Sequence, residues 1–502
     1  MAMTELGGRM DRPALPRRHD GLPPRAVVLG GLVVAGGGGW LAAESPAIAL
    51  GGTAVLLLAA CVWARPALAA YLVVGVTPLV AGIDRGTAIP VLRPNEALYF
   101  VLAATLVTRA IVLMRTGHEL RVRLTAVAWA LLLMSVANSV IPLLWMLLRH
   151  RTPSQDDYLY ALVLWKFVAV YAIVRASVTT DRQIRRCLWI SVCTAGVVAV
   201  IGILQALDLL GVRSLLAMYY APFGYVGALS KPRGGSTLAL PAAAADLMMF
   251  NLAIVACFWM QGRRRALLAP AAVLLIFGCL ASGEFSSFFG LLVAVVAVAI
   301  VGRSWNIPLM SAPAGIAGFL VLWPVVAERL SGFQSVHGLP ASWIGRLRNL
   351  SSYFLPELFS DWNFLLGVRP GARVPVAIQA TGYVWIESGY IWLLWGGGIP
   401  LLAAYLFFVR ASLRQGWRAA RFGQGAGSIA GAVSVVAVAV CAVLMIFDPH
   451  VTYRGSADLL FALLALTRCH RGETFEGSGD GESLPLATTR ASACTRGGGE
   501  LG

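Results

Sequence analysis

Charge is scarce in this sequence. Only 13% of its 502 residues are Asp, Glu, Lys or Arg, against 58% hydrophobic, with mean hydropathy +0.75. Soluble domains carry roughly a quarter charged residues, so a soluble globular class is excluded. Lysine is almost missing, with Lys166 and Lys231 its only two copies. The strict apolar/polar alternation of barrel strands is lacking, and no segment repeats between 26–207 and 240–467. No Walker-type glycine loop is present, so nucleotide chemistry is not implied. No CxxC or His/Cys spacing points to a metal, and no cofactor is implied. Of the eight cysteines, Cys61, Cys193, Cys257, Cys279 and Cys441 fall in apolar runs, while Cys187, Cys469 and Cys494 fall at or beyond their ends, so no disulfide is expected.

Long apolar runs are plentiful, and a run of about 18 or more residues can cross a bilayer as a helix. The fold class expected is all-α: a polytopic membrane protein of about 14 spans. They lie near 26–43, 47–64, 67–83, 96–114, 125–147, 159–178, 187–207, 240–260, 267–281, 285–302, 307–327, 383–409, 428–447 and 457–467. Residues 1–25 read as a flexible leader, 26–327 as a bundle of about eleven helices, and 328–382 as one large external loop with short amphipathic helices. Residues 383–467 supply about three closing helices, and 468–502 a disordered tail.

Arginine sets the orientation. With the N-terminus in the cytoplasm, inner segments collect about 26 of the 40 Lys and Arg, outer ones about 13. Both termini are then cytoplasmic. The net charge of +16 is mostly this topology signal, and its spread over many short loops argues against nucleic-acid binding.

Against that bias, the expected outer loop carries Arg329, Arg346, Arg348, Arg369 and Arg373, and Arg233 stands at the mouth of a span. One reading is pairing with Glu328, Glu357, Asp361 or lipid phosphates. The other is a cationic pocket for an anion, because arginine presents a planar fork of donors and keeps its charge. Arg233 is followed by Gly234-Gly235-Ser236-Thr237, which suggests a turn with free backbone N–H groups at a helix start. Arg346 and Arg348 sit on an amphipathic pattern of Trp343, Ile344, Leu347, Leu350 and Tyr353, expected to lie on the membrane surface. Glu387 stands at the outer mouth of a span among Tyr383, Trp385, Tyr390, Trp392 and Trp395, where an acid is costly and suggests function. His337 in the loop is a second candidate base. Lys166, inside a span, calls for a carboxylate partner or a cavity.

Three stretches resemble the superfamily of O-antigen ligases and O-antigen or exopolysaccharide polymerases. RGGSTLALPAAAADLMMF (233–250) is similar to the family's Arg-Gly-Thr-Phe-type start of a middle span. LASGEFSSFFGLL (280–292) lies where many members carry Ser-Arg-Gly. ESGYIWLLWGGGIP (387–400) follows the long loop, where ligases show His, then Asn or Ser, then nine residues and Gly; Glu387 stands in place of that histidine. The resemblance covers roughly residues 67–467, mostly through span order. Glu284 also departs from the family pattern, standing where arginine is frequent, and two N-terminal spans exceed the twelve common in ligases. The missing histidine tilts the reading toward polymerase.

What the resemblance implies is transfer of an oligosaccharide from a polyprenyl diphosphate to an acceptor glycan, outside the cytoplasmic membrane, alongside other polysaccharide assembly partners. Arg233, Arg346 and Arg348 would bind the diphosphate, and Glu387, or His337, would serve the acceptor hydroxyl. The alternative from a different class is a flippase for lipid-linked oligosaccharide.

Overall fold

The computed structural model describes residues 46–467 except 88, 90–91, 119–123, 221–230, 263, 332, 334–340 and 377–381. The expected leader, first span and tail, and His337, lie outside the described residues.

The chain is a helical membrane protein. Its first part runs α1 (Pro46–Ala64), α2 (Ala67–Val80), α3 (Pro94–Arg115), α4 (Ala126–Leu148), α5 (Gln155–Ala161), α6 (Val163–Ser177), α7 (Asp181–Ala206) and α8 (Val212–Tyr219). The middle part is α9 (Pro241–Met260), α10 (Arg265–Ala281), α11 (Phe285–Gly302), α12 (Asn306–Val321) and α13 (Trp323–Ser331). Three short helices follow, α14 (Ala341–Asn349), α15 (Leu355–Phe359) and α16 (Asn363–Leu366), and then α17 (Gly389–Phe422), α18 (Gly425–Leu444) and α19 (Ser456–Leu466). Most apolar runs expected from residue 47 onward coincide with one of these helices; the run near 159–178 divides into α5 and α6, and that near 307–327 is broken between α12 and α13. Eight of the described helical segments are long and apolar enough to cross a membrane, or nine if α12 and α13, bent by 74°, count together.

Local chemistry sets the ends. Thr125 caps α4 by accepting from the Ala128 N–H at 3.1 Å. Thr180 and Gln183 cap α7 reciprocally, at 3.3 and 3.1 Å. Proline opens α3 and α9, where its missing N–H costs nothing.

The central helices are α9 and α18, each with 78% of its apolar stretch buried by neighbours, against 17% for the more peripheral α3. Lys166 has its carboxylate: its Nζ lies 3.3 Å from Asp458 of α19, which is 1% exposed. Burying two opposite charges together avoids leaving either unpaired in an apolar interior.

Residues 341–376 are not purely helical. A π-helical turn, Leu350–Phe354, links α14 to α15. Strands β1 (Arg373–Pro375) and β2 (Tyr383–Trp385) pair antiparallel, Val374 opposite Val384. The helix expected from 383 therefore starts at Gly389, because 383–385 is spent on this ribbon. α17 is itself broken at Gly398 (φ 64°, ψ −154°), where a Cβ would sit 2.4 Å from the Leu365 carbonyl oxygen. Only glycine lets α16 dock that close.

Candidate functional site

Arg233 is positioned by a loop bolted across three helices. The Gly234 N–H donates to the Ala281 carbonyl (2.8 Å), and the Ser236 N–H to Gln205 Oε1 (2.7 Å). The hydroxyls of Ser236 and Thr237 donate to the carbonyls of Val198 and Pro78 at 2.8 and 2.7 Å. Gly234 is required here, since a Cβ would meet the Gly202 carbonyl oxygen at 2.5 Å. This corrects the expectation of free N–H groups at a helix start. The Gly234 and Ser236 amides are already bonded, and α9 begins only at Pro241, which has no N–H. The segment's contribution is the guanidinium it aims.

That guanidinium enters a cluster at one end of the bundle. Glu284, just before α11, lies 3.5 Å from Arg233 Nη1 and 2.9 Å from Arg329 Nη2. Arg329, at the end of α13, also donates to the Gly283 carbonyl and stacks over the Phe285 ring. Arg346, on α14, is held from both sides: its Nε is 3.6 Å from Glu387 and its Nη1 3.0 Å from Asp448. Trp343 packs on Phe447 with ring centroids 5.8 Å apart, which docks part of the amphipathic face of α14 onto protein, while Leu347 stays exposed. Glu387 and Asp448 are brought together by backbone, for the Gly389 N–H donates to the Met445 carbonyl at 2.8 Å.

Three arginines thus meet three carboxylates, and the balance depends on protonation. Burial pushes the Glu387 carboxyl up to about 7; Arg346 opposes this, and Asp448 and Glu284 add to it. Burial also raises Asp448, with Arg346 and His450 resisting. The carboxylates Asp448, Glu387 and Glu284 together overcome the burial that would otherwise weaken Arg346 as a cation. Glu328 also borders Arg329, and each proton taken up by Glu387 or Asp448 shifts the cluster toward positive charge and toward binding an anion.

Behind it sits a pair that the sequence reading missed. His450 Nδ1 is 2.8 Å from Asp246 Oδ2, with both side chains almost fully buried, and its ring lies 4.6 Å from that of Tyr453. Asp246 is an acid inside an otherwise apolar run, which is a signal that the sequence carries. Asp448 and His450 lie in a short segment, and an Asp and a His between two apolar runs are the sequence signal that marks it.

The remaining arginines go elsewhere. Arg369 grips Asp157 through Nε (2.8 Å) and Nη2 (3.0 Å) and Ser154 through Nη2 (2.9 Å). Asp157 also accepts from the Gly371 N–H at 3.1 Å. Arg373 pairs with Asp156 and lies over Tyr383 and Trp385, 5.0 and 5.2 Å from the ring centroids. Glu357 and Asp361 are indeed ion-paired, but with Arg151 and Arg149 of the 148–158 segment, each at 2.7 Å. Arg348 is exposed and forms no ion pair among the described residues. Of the expected site residues, then, Arg233, Arg346 and Glu387 share one cluster and Arg348 stands outside it. Compared with known proteins, the chain matches no protein-family model and no curated sequence.

Proposed function

We propose that this protein is a membrane glycan polymerase or ligase. It moves an oligosaccharide from a polyprenyl diphosphate carrier to an acceptor glycan, on the outer side of the cytoplasmic membrane, in surface polysaccharide synthesis. The observation that carries this reading is the convergence of Arg233, Arg329 and Arg346, from three separate segments, on one membrane end beside Glu387. The cluster belongs to the end that the arginine count assigns to the outside, in a bundle of about fourteen spans with both termini cytoplasmic.

The acceptor hydroxyl oxygen attacks the anomeric carbon of the donor sugar. The new C–O bond forms as the bond to the diphosphate oxygen breaks, and that oxygen leaves with the electron pair. Arg233 and Arg329 stabilise the growing negative charge, and Arg346 closes the third side. The diphosphate competes with Glu284 for guanidinium donors, so the carboxylate keeps the empty site ordered. Glu387 accepts the hydroxyl proton; a carboxyl tuned near 7 is well placed for that exchange. Asp448 holds Arg346, and the Asp246–His450 pair supports the wall behind it.

Arg233→Ala or Glu387→Ala in the host, at matched protein level, is expected to leave single repeats unpolymerised. Full-length polymer from either variant removes that residue from the mechanism. The intramembrane Lys166–Asp458 pair is the feature that favours the flippase reading, since intramembrane charges line transport paths. In a deletion strain, lipid-linked repeats accumulating outside support transfer, and accumulation inside supports transport.

A further inference from the structure

A second arginine cluster lies at the opposite end of the bundle. α7 runs 26 residues from Asp181 to Ala206, about 39 Å at 1.5 Å per residue. Its last turn touches the Arg233 loop through Gln205, and its first turn carries Arg182, Arg185 and Arg186. Arg264, in the tight turn joining α9 to α10, comes alongside. Together they line a cavity of about 430 Å³.

The floor of this cavity is aromatic. Trp189 and Phe258 stack at 4.9 Å with planes 13° apart, and the Arg264 guanidinium sits over Trp189 at 5.9 Å. Acid is in short supply. Asp181 lies 3.5 Å from Arg185, but its Oδ1 also accepts the N–H groups of Ala426 and Gly427 at the start of α18. Arg182, Arg186 and Arg264 form no ion pair among the described residues. That leaves three guanidiniums around one cavity with no carboxylate of their own, a concentration of like charge that a bound anion would offset. A topology signal needs only positive charge near the membrane; it needs neither a cavity nor a stacked aromatic floor.

We propose that this cavity is a binding site for the phosphodiester headgroup of an anionic phospholipid in the leaflet opposite the catalytic cluster. The guanidiniums supply forked donors to the phosphate oxygens. The apolar floor continues along lipid-facing side chains, with Val197 and Val200 exposed on α7 and Leu267 exposed on α10. A soluble phosphate would meet the same donors, but it would leave the aromatic floor and this apolar margin uncovered.

The test is thermal unfolding of the full-length protein in nanodiscs of phosphatidylcholine alone, or doped with phosphatidylglycerol. The anionic lipid is expected to raise Tm by about 2–4 °C. R182Q/R186Q/R264Q is expected to lose that rise. R410Q/R414Q/R418Q, which removes equal charge from the same end without touching the cavity, is expected to keep it. An equal loss in both triple variants indicates general surface attraction and overturns the proposal, as does an unchanged rise in the first. If inorganic pyrophosphate in phosphatidylcholine discs reproduces the rise, the site takes soluble phosphate and the lipid assignment fails. Native mass spectrometry of the wild type gives an answer even where the variant does not fold: retention of phosphatidylglycerol in preference to phosphatidylcholine is expected, and equal retention overturns the site.

Discussion

Within residues 328–382, two pairs of arginines have opposite surroundings. Arg369 and Arg373 are saturated: Asp157 gives Arg369 both carboxylate oxygens, and Arg373 has Asp156 with two aromatic rings beside it. Arg329 and Arg346 are shared. Arg329 divides Glu284 with Arg233, and Arg346 is split between two carboxyls that burial pushes toward protonation. The same residue type, in one stretch of chain, staples the segment at one place and leaves spare charge at another. Arginine count alone does not separate these roles; the carboxylates facing each guanidinium do.

The shared side of this division is tested most directly at Glu387. Glu387→Gln keeps the shape and removes the base, so a loss of about 10²–10⁴-fold in transfer rate is expected. In the wild type, Glu387 is protonated below about 7 and cannot accept a proton, so activity should rise through that pH. A profile flat between pH 5 and 8 removes Glu387 as the base.

Arg346→Ala should cost about 10²–10³-fold in rate, with a smaller fall in Tm than Arg369→Ala, because Glu387 and Asp448 are already pushed toward protonation and can take up a proton in place of the lost cation. Arg369→Ala should do the reverse. It leaves the 1%-exposed Asp157 carboxylate short of its cation, with an expected cost of about 3 kcal/mol seen as a lowered Tm or poor expression, and with specific activity of the folded fraction largely kept. Should the two variants lose activity and stability in the same proportion, the division between stapling and binding arginines collapses. Arg348→Ala sharpens the lower limit: exposed and outside the cluster, it should change rate less than about threefold, within ordinary surface effects.

Much of the fold was legible because hydropathy reports directly on lipid. Every apolar run from residue 47 onward is mainly helical, though those near 159–178 and 307–327 are broken, and of the two expectations for Lys166 the carboxylate partner is present. The ribbon at 373–385 was not legible, since three-residue strands leave no periodicity to read. At the site, Arg233, Arg346 and Glu387 stood out as charges at the ends of apolar runs. Arg348 looked equivalent to Arg346, and only the rotation of α14 tells them apart: one faces Asp448, the other solvent. His450 and Asp448 were hidden by the shortness of their segment, although the fold packs it directly behind the cluster.

The scatter of the cluster along the chain also sets when it can exist during synthesis. Translation delivers about 5–20 residues per second, so roughly ten seconds or more separates the emergence of Arg233 from that of Asp448. Glu284 emerges early enough to pair with Arg233 during that wait, and Arg329 then brings a second cation to the same carboxylate. Arg346 and Glu387 come later, and the tie from Gly389 to Met445 forms only once α18 is in place. A nascent or prematurely terminated chain that stops before Asp448 therefore holds Arg233, Glu284 and Arg329 without the carboxylate that grips Arg346, and the cluster closes only after α18.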